Sequence, residues 1–180
     1  MFFPGVKIPA GLVTVRQAAA LYVYENTLYV VQMTGAQLKD ALEDAASFFS
    51  AWPVPKGESI RLPGYNADSA EGVSYVIDLT QPVGKRIRDL TFHGKPLDAT
   101  QQLRVAINNY RYTGGGRYSV YQGLRVVYRS PVEIRELLID YISRTKNIPA
   151  TADGNWKIAP PEALAAIEKA ADADANEHSR

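Results

Sequence analysis

The junction between residues 27–32 and Thr34-Gly35-Ala36-Gln37 sets the tightest limit on the fold. Residues 27–32 are β-rich and read as a strand. Thr34 is placed to cap the Gln37 amide, and Gln37 to reach back to Thr34, a capping box. Met33 and Leu38 occupy the flanking staple positions. Leu38, Leu42, Ala45 and Phe49 then recur at helical spacing, so an amphipathic helix is expected over residues 35–49.

The rest of the chain alternates between strand and turn signals. Pro9-Ala10-Gly11 is a turn, and residues 13–21 suit a short helix with an Ala-rich face. Residues 50–72 read as a loop, holding Pro53, Pro55, Gly57, Pro63, Gly64 and Gly72. A loop of that length in a compact domain is usually functional or disordered. Val73, Tyr75, Ile77 and Leu79 alternate as a strand. Residues 86–92 form another, with an apolar phase that slips between Ile87 and Leu90 as a bulge would make it. His93-Gly94-Lys95-Pro96 turns the chain toward a strand at 102–109, and a further strand covers 124–128. Ser130-Pro131-Val132-Glu133 reads as a second capping box, with proline at the first helical position. The expected helix carries Ile134, Leu137, Leu138, Tyr141 and Ile142. Asn155-Trp156-Lys157-Ile158 suits a terminal strand. The Ala-rich, acidic residues 159–180 are expected to be a frayed or disordered tail. Strands mostly adjacent in sequence, with two long helices, predict an α+β fold with a mixed sheet.

Composition narrows the function classes. The 180 residues include 46% apolar residues, enough for a real core, and the formal net charge is +1. That balance gives no case for a nucleic-acid or membrane binder. Absence of cysteine removes disulfides, thiolate metal sites and cysteine nucleophiles. The two histidines, His93 and His178, are not at ligand spacing, so no metal site is expected in this chain. No serine sits in a nucleophile-elbow context. Residues 1–7 lack the basic and long apolar regions of a signal peptide. They open on two aromatics and a turn, which raises the expectation that the chain starts inside something larger.

Chemistry concentrates where the strand of Leu103, Val105 and Ile107 ends, at Asn108-Asn109-Tyr110-Arg111-Tyr112-Thr113-Gly114-Gly115-Gly116. An amide pair, an aromatic face and three glycines read as a wall of a nucleoside-sized pocket, since tyrosine stacks on a planar base and glycine admits close approach. A mobile hairpin tip with a surface tyrosine has the same pattern, and both readings stay open at this level. The glycines are not a P-loop, because no Gly-Lys-Ser/Thr follows. A second loop presents Tyr65-Asn66-Ala67-Asp68. Arg61, Arg111 and Arg117 flank the two loops and are candidates to meet a phosphate, with solvated arginines as the alternative. Asp68 and Glu71 suit hydrogen bonding to a ribose or base better than acid–base catalysis.

These segments resemble the C-terminal domain of the bacterial 5′-nucleotidase family. Within it they are similar to the branch of 2′,3′-cyclic-nucleotide 2′-phosphodiesterase/3′-nucleotidases. The resemblance is carried by residues 21–28, 33–43 and 65–75, by Phe92-His93-Gly94-Lys95-Pro96-Leu97-Asp98, by Asn108-Asn109-Tyr110-Arg111 with its glycines, and by Asn155-Trp156. It runs over about residues 8–158 in the family's order. Gly116, where the 5′-nucleotidase branch tends to carry aspartate, favours the cyclic-nucleotide branch.

The resemblance implies a layered α/β/β/α fold with mixed sheets. It implies one domain over 1–158 that lacks its first elements, including a Gly-Gly-x-Arg element that helps bind phosphate. It also implies a substrate site in which Tyr65 and Tyr110 sandwich the base of a nucleoside or nucleotide. Asn109, Arg111, Gly114, Gly115 and Gly116 would line that site, with Asp68 nearby, and Asn26 would be structural. No catalytic residue and no cofactor is expected in this chain. Divalent metals and hydrolysis would belong to a separate metallophosphoesterase domain, and no nucleic-acid or membrane partner is implied. Relatives of this kind are periplasmic, secreted or at the cell surface. A truncated reading frame or cut fragment is the expectation for this chain. A stand-alone binding module and a non-functional remnant are the alternatives.

Overall fold

The computed structural model describes residues 8–61, 64–149 and 151–177. Residues 1–7, Pro63 and His178, named above, lie outside them. In chain order the elements are α1 (Val15–Ala20), β1 (Thr27–Thr34), α2 (Gly35–Ala46), β2 (Val73–Asp78), β3 (Ile87–Phe92), β4 (Lys95–Pro96), β5 (Gln102–Asn108), α3 (Asn109–Tyr112), β6 (Arg125–Glu133), α4 (Ile134–Thr145), β7 (Trp156–Ala159) and α5 (Pro161–Glu177). Short 3-10 turns occur at Gly64–Asn66, Gly115–Arg117 and Ser119–Tyr121. The α+β class predicted from sequence holds, with two sheets. The chain forms two compact units.

The first unit holds α1, β1, β5, α3, β6 and α4. Its three strands run in the order β5-β1-β6, with β1 and β6 antiparallel. Val31 and Met33 of β1 and Leu103 of β5 are buried. Helix α1 packs on α4 and buries Ala18. It begins with a capping box that the sequence reading passed over: Gln17 N–H donates to Thr14 Oγ1 (3.3 Å), and Thr14 N–H donates to Gln17 Oε1 (2.8 Å).

The capping box expected at Ser130–Glu133 is corrected. Those four residues belong to β6, where Glu133 pairs with Thr27. Ser130 Oγ donates to the Val132 carbonyl (2.8 Å) and accepts from the Val132 N–H (3.1 Å). Helix α4 starts at Ile134, whose N–H is taken by the Asn26 carbonyl (2.8 Å). The strand wins because β1 extends far enough to keep pairing with it, and an edge strand tolerates Pro131. Asn26, expected to be structural, also donates from Nδ2 to the Tyr22 hydroxyl (2.9 Å).

The second unit holds α2, β2, β3, β4, β7 and α5. Its sheet runs β4-β3-β2-β7, antiparallel except for the parallel β2–β7 pair, so it is mixed as expected. The capping box at Thr34 is present: Gln37 N–H donates to Thr34 Oγ1 (3.2 Å), and Thr34 N–H donates to Gln37 Oε1 (2.8 Å). Helix α2 ends at Ala46, three residues before Phe49, and buries Leu38, Ala41, Leu42, Ala45 and Ala46. Strand β2 departs from simple alternation. Val76 and Asp78 are buried along with Val73, Tyr75 and Ile77, because both faces of this interior strand are covered. The predicted bulge is real: the register shifts between Ser74↔Thr91 and Val76↔Arg88, with Asp89 at φ 52°.

A buried polar pair ties α2 to β3. The Glu43 carboxylate accepts from the backbone N–H groups of Arg86 and Ile87, both at 2.8 Å. The buried Arg86 guanidinium donates from Nη1 to the carbonyl of Ala46 (2.7 Å), the last residue of α2, and to that of Phe49 (2.9 Å), three residues beyond it. The Ala46 carbonyl is one that a helix end leaves without an intrahelical partner.

Most of the Ala-rich segment forms α5, which packs on β7 with Ala163 fully buried. A small side chain allows that close approach, which supplies the burial that composition alone does not reveal.

Candidate functional site

The residues singled out from sequence fall in both units. Tyr110, Asn109, Arg111 and Gly114 to Gly116 belong to the first, and Tyr65 and Asp68 to the second.

Strand β5 ends at Asn108, and the chain turns at once into the single helical turn α3 rather than a hairpin tip. Asn108 makes that turn. Its Oδ1 accepts from Arg111 N–H (2.7 Å), and its Nδ2 donates to the Tyr22 hydroxyl (3.1 Å). Asn109 is anchored too, its Oδ1 accepting from the Thr27 N–H (3.0 Å). The amide pair that sequence offered as ligand contacts is therefore committed to scaffold through both side-chain oxygens.

Tyr110 stands on this scaffold with 43% of its surface exposed. Arg111 beside it is only 5% exposed. The Arg111 guanidinium carbon lies 4.6 Å from the centroid of the buried Tyr118 ring and 5.5 Å from that of Tyr110. Its Nη1 donates to the Gly115 carbonyl (3.1 Å). Such a cation against two aromatic faces is a stable packing arrangement. The arginine considered for a phosphate thus braces the glycine loop.

The glycines differ in what they require. Gly114 (φ 90°) and Gly116 (φ 71°) occupy left-handed backbone that L side chains rarely adopt. Gly115 does not, and its Cα packs against the Tyr110 ring. Gln122 closes the loop, its Nε2 donating to the Thr113 carbonyl (3.1 Å).

In the second unit, Tyr65 sits in the 3-10 turn Gly64–Asn66 and is 46% exposed. Asp68 follows, half-buried. The loop's far end is fastened to the sheet. Asn155 Nδ2 donates to the carbonyls of Ala70 (2.8 Å) and Val73 (3.0 Å), and Ala70 N–H donates to the Tyr75 hydroxyl (3.2 Å). Burial pushes the Tyr75 hydroxyl above its ordinary pKa, partly offset by the Ala70 N–H and reinforced by Glu71 and Asp68. Trp156 stacks on Tyr75 at 6.3 Å and 13°.

Three contributors escaped the sequence reading: Tyr22, Tyr118 and Gln122. Tyr22 meets Asn108 from 86 positions away, which no local pattern signals. Tyr118 and Gln122 lie just past the glycines, where an aromatic and an amide following a tight loop were available hints. Among the described residues no group of three or more His, Asp or Glu side chains could hold a metal ion. Among them no helix is long and apolar enough to cross a membrane.

A family model for the 5′-nucleotidase, C-terminal domain matches residues 3–123. The chain is 38% identical over 171 residues to the trifunctional nucleotide phosphoesterase protein YfkN of Bacillus subtilis, covering 86% of this chain and 12% of that protein. It is 34% identical over 185 residues to a 2′,3′-cyclic-nucleotide 2′-phosphodiesterase/3′-nucleotidase of Salmonella typhimurium, covering 91% of this chain and 28% of that one. A crystal structure of a putative 5′-nucleotidase from Staphylococcus aureus superposes with a TM-score of 0.66 at 32% identity, over 81% of this chain and 30% of the other. The chain thus spans less than a third of each relative's length. Sequence, fold and the matched segment agree that this chain belongs to the family of 5′-nucleotidase C-terminal domains.

Proposed function

We propose that this chain is the nucleotide-recognition domain of a nucleotide-hydrolysing phosphoesterase. Tyr110 and Tyr65 take the two faces of the base, and Asp68 accepts a hydrogen bond from the ribose or base. Asn109 and Arg111 serve from behind the Tyr110 platform, and Gly114, Gly115 and Gly116 shape the loop that carries it. Hydrolysis, with its divalent metals, is the work of a separate metallophosphoesterase domain.

The observation that carries this reading is the mounting of Tyr110. A half-exposed aromatic is ordinary. An exposed aromatic standing on a hydrogen-bonded amide pair and a buried arginine is preorganised, and preorganisation reduces the ordering penalty of binding. Similarity to a relative named for cyclic nucleotides and 3′-nucleotides supports a nucleotide as the substrate class. What this chain's residues do is bind and orient. Each stacked face contributes about 1–3 kcal/mol, and a base held in place aligns the phosphate for attack by water elsewhere.

Isothermal titration with adenosine and 3′-AMP, without added metal, tests the reading. Saturable binding that weakens about tenfold or more in Tyr65→Ala and in Tyr110→Ala is expected. A Tyr110→Ala chain that binds as well as the parent overturns the assignment.

A further inference from the structure

We propose that Gly115 is a positioning residue: the side chain it lacks is the space in which the Tyr110 ring is seated. This rests on the base-recognition reading above. An ideal Cβ built on Gly115 falls 2.5 Å from each of Tyr110 Cε1, Cε2 and Cζ. Three equal distances to three atoms of one hexagon place that Cβ on the axis through the ring centre, perpendicular to its face. The glycine Cα–H that takes the place of the Cα–Cβ bond therefore points onto one face of the platform, and the remaining exposed surface of the ring is what a ligand meets.

The seat is fixed from below. Arg111 Nη1 holds the Gly115 carbonyl (3.1 Å), and the same guanidinium packs on the buried Tyr118. Backbone conformation does not demand glycine at 115, since its φ is outside the left-handed region that Gly114 and Gly116 occupy. The requirement is space alone. An added methyl would meet the outer part of a half-exposed side chain rather than backbone, so the ring can swing away at little expense to the fold. The platform is then misaligned while the domain stays folded. For a planar aromatic ligand such as a nucleobase, loss of the ring's orientation removes the stacked face.

Two measurements on the full chain test this. The first is the adenosine Kd for the parent, Gly115→Ala, Tyr110→Ala and the double variant, with thermal unfolding of each. Gly115→Ala is expected to weaken binding about tenfold at an essentially unchanged unfolding midpoint. The double variant is expected to bind no worse than Tyr110→Ala, because the glycine acts only through the ring. Parent-like binding by Gly115→Ala overturns the proposal, as does a loss that adds in full to that of Tyr110→Ala.

The second measurement needs no ligand. Gly115 Hα protons over an aromatic face resonate upfield in the proton NMR spectrum and return to ordinary positions in Tyr110→Leu. Absence of that shift in the parent overturns the seat itself. A parent that shows the shift but binds no nucleoside overturns the base-recognition reading, and with it the role of the seat in binding.

Discussion

The side-chain oxygen of Asn109 accepts the backbone N–H of Thr27 at 3.0 Å, joining the first residue of α3 to the first residue of β1 across 82 positions of sequence. An amide that sequence places beside a ligand is thereby a strut between the platform and the sheet. Truncation to alanine leaves the half-buried Thr27 N–H without this acceptor. Asn109→Ala is expected to lower stability by about 1–3 kcal/mol in urea unfolding, with Asn109→Asp, which keeps an acceptor oxygen, closer to the parent.

Each oxygen of Glu43 in α2 accepts one backbone N–H, that of Arg86 just before β3 and that of Ile87 at its start. Replacing it by glutamine turns one acceptor into a donor facing an N–H. Glu43→Gln is therefore expected to cost about 1–3 kcal/mol although the shape is conserved. Urea midpoints of the two proteins at equal m-value check this, and equal midpoints contradict it.

Gly35 opens α2 beneath the loop of residues 97–101, with its N–H donating to the Gln101 carbonyl (2.9 Å). A Cβ there would strike the Asp98 carbonyl oxygen, and would come within 2.9 Å of Leu97 Cγ. Glycine to alanine in a helix usually stabilises. Here the sign is expected to reverse, with Gly35→Ala destabilising by about 1–3 kcal/mol. A raised unfolding midpoint would show that the loop yields.

The Asp78 carboxylate accepts from the Thr80 hydroxyl (2.6 Å), the Thr80 N–H (3.0 Å) and Arg88 Nη1 (2.8 Å). The Thr80 hydroxyl first, then its N–H and the Arg88 charge, hold this carboxyl below the ordinary carboxylate range against the opposing effect of burial. The folded state therefore binds this proton less readily than the unfolded chain. The stability it confers is complete above the unfolded pKa of about 4 and is lost as pH falls through the lowered folded value. Thermal unfolding between pH 6 and pH 2 is expected to decline less steeply in Asp78→Asn than in the parent.

Where the determinants are local, they are legible in the sequence. Thr34 and Gln37 are three residues apart, and the box they form is present. The slipped apolar phase between Ile87 and Leu90 is a bulge because one extra residue must shift the faces. Ser130 misled because a serine-proline pair caps a helix only if the backbone there is free to leave its sheet. Thr27, more than a hundred residues earlier, holds it in β6. Likewise Ala163 reads as part of a tail until β7 offers it a surface.

Alternation marks most of the strands in the linear chain, a cap marks the start of α2, and ordered short segments, whose residue types are tied to tight turns and aromatic faces, mark the family. What those side chains touch within the fold depends on residues far away in the chain. Asn108, Asn109 and Arg111 look like ligand contacts in a line of text, because their polarity is visible there and their partners are not. Once the chain folds, Asn108 meets Tyr22, Asn109 meets Thr27, and Arg111 meets Tyr118 and the Gly115 carbonyl. A polar group near other polar groups satisfies itself internally wherever geometry allows, and that geometry is set by residues distant in sequence.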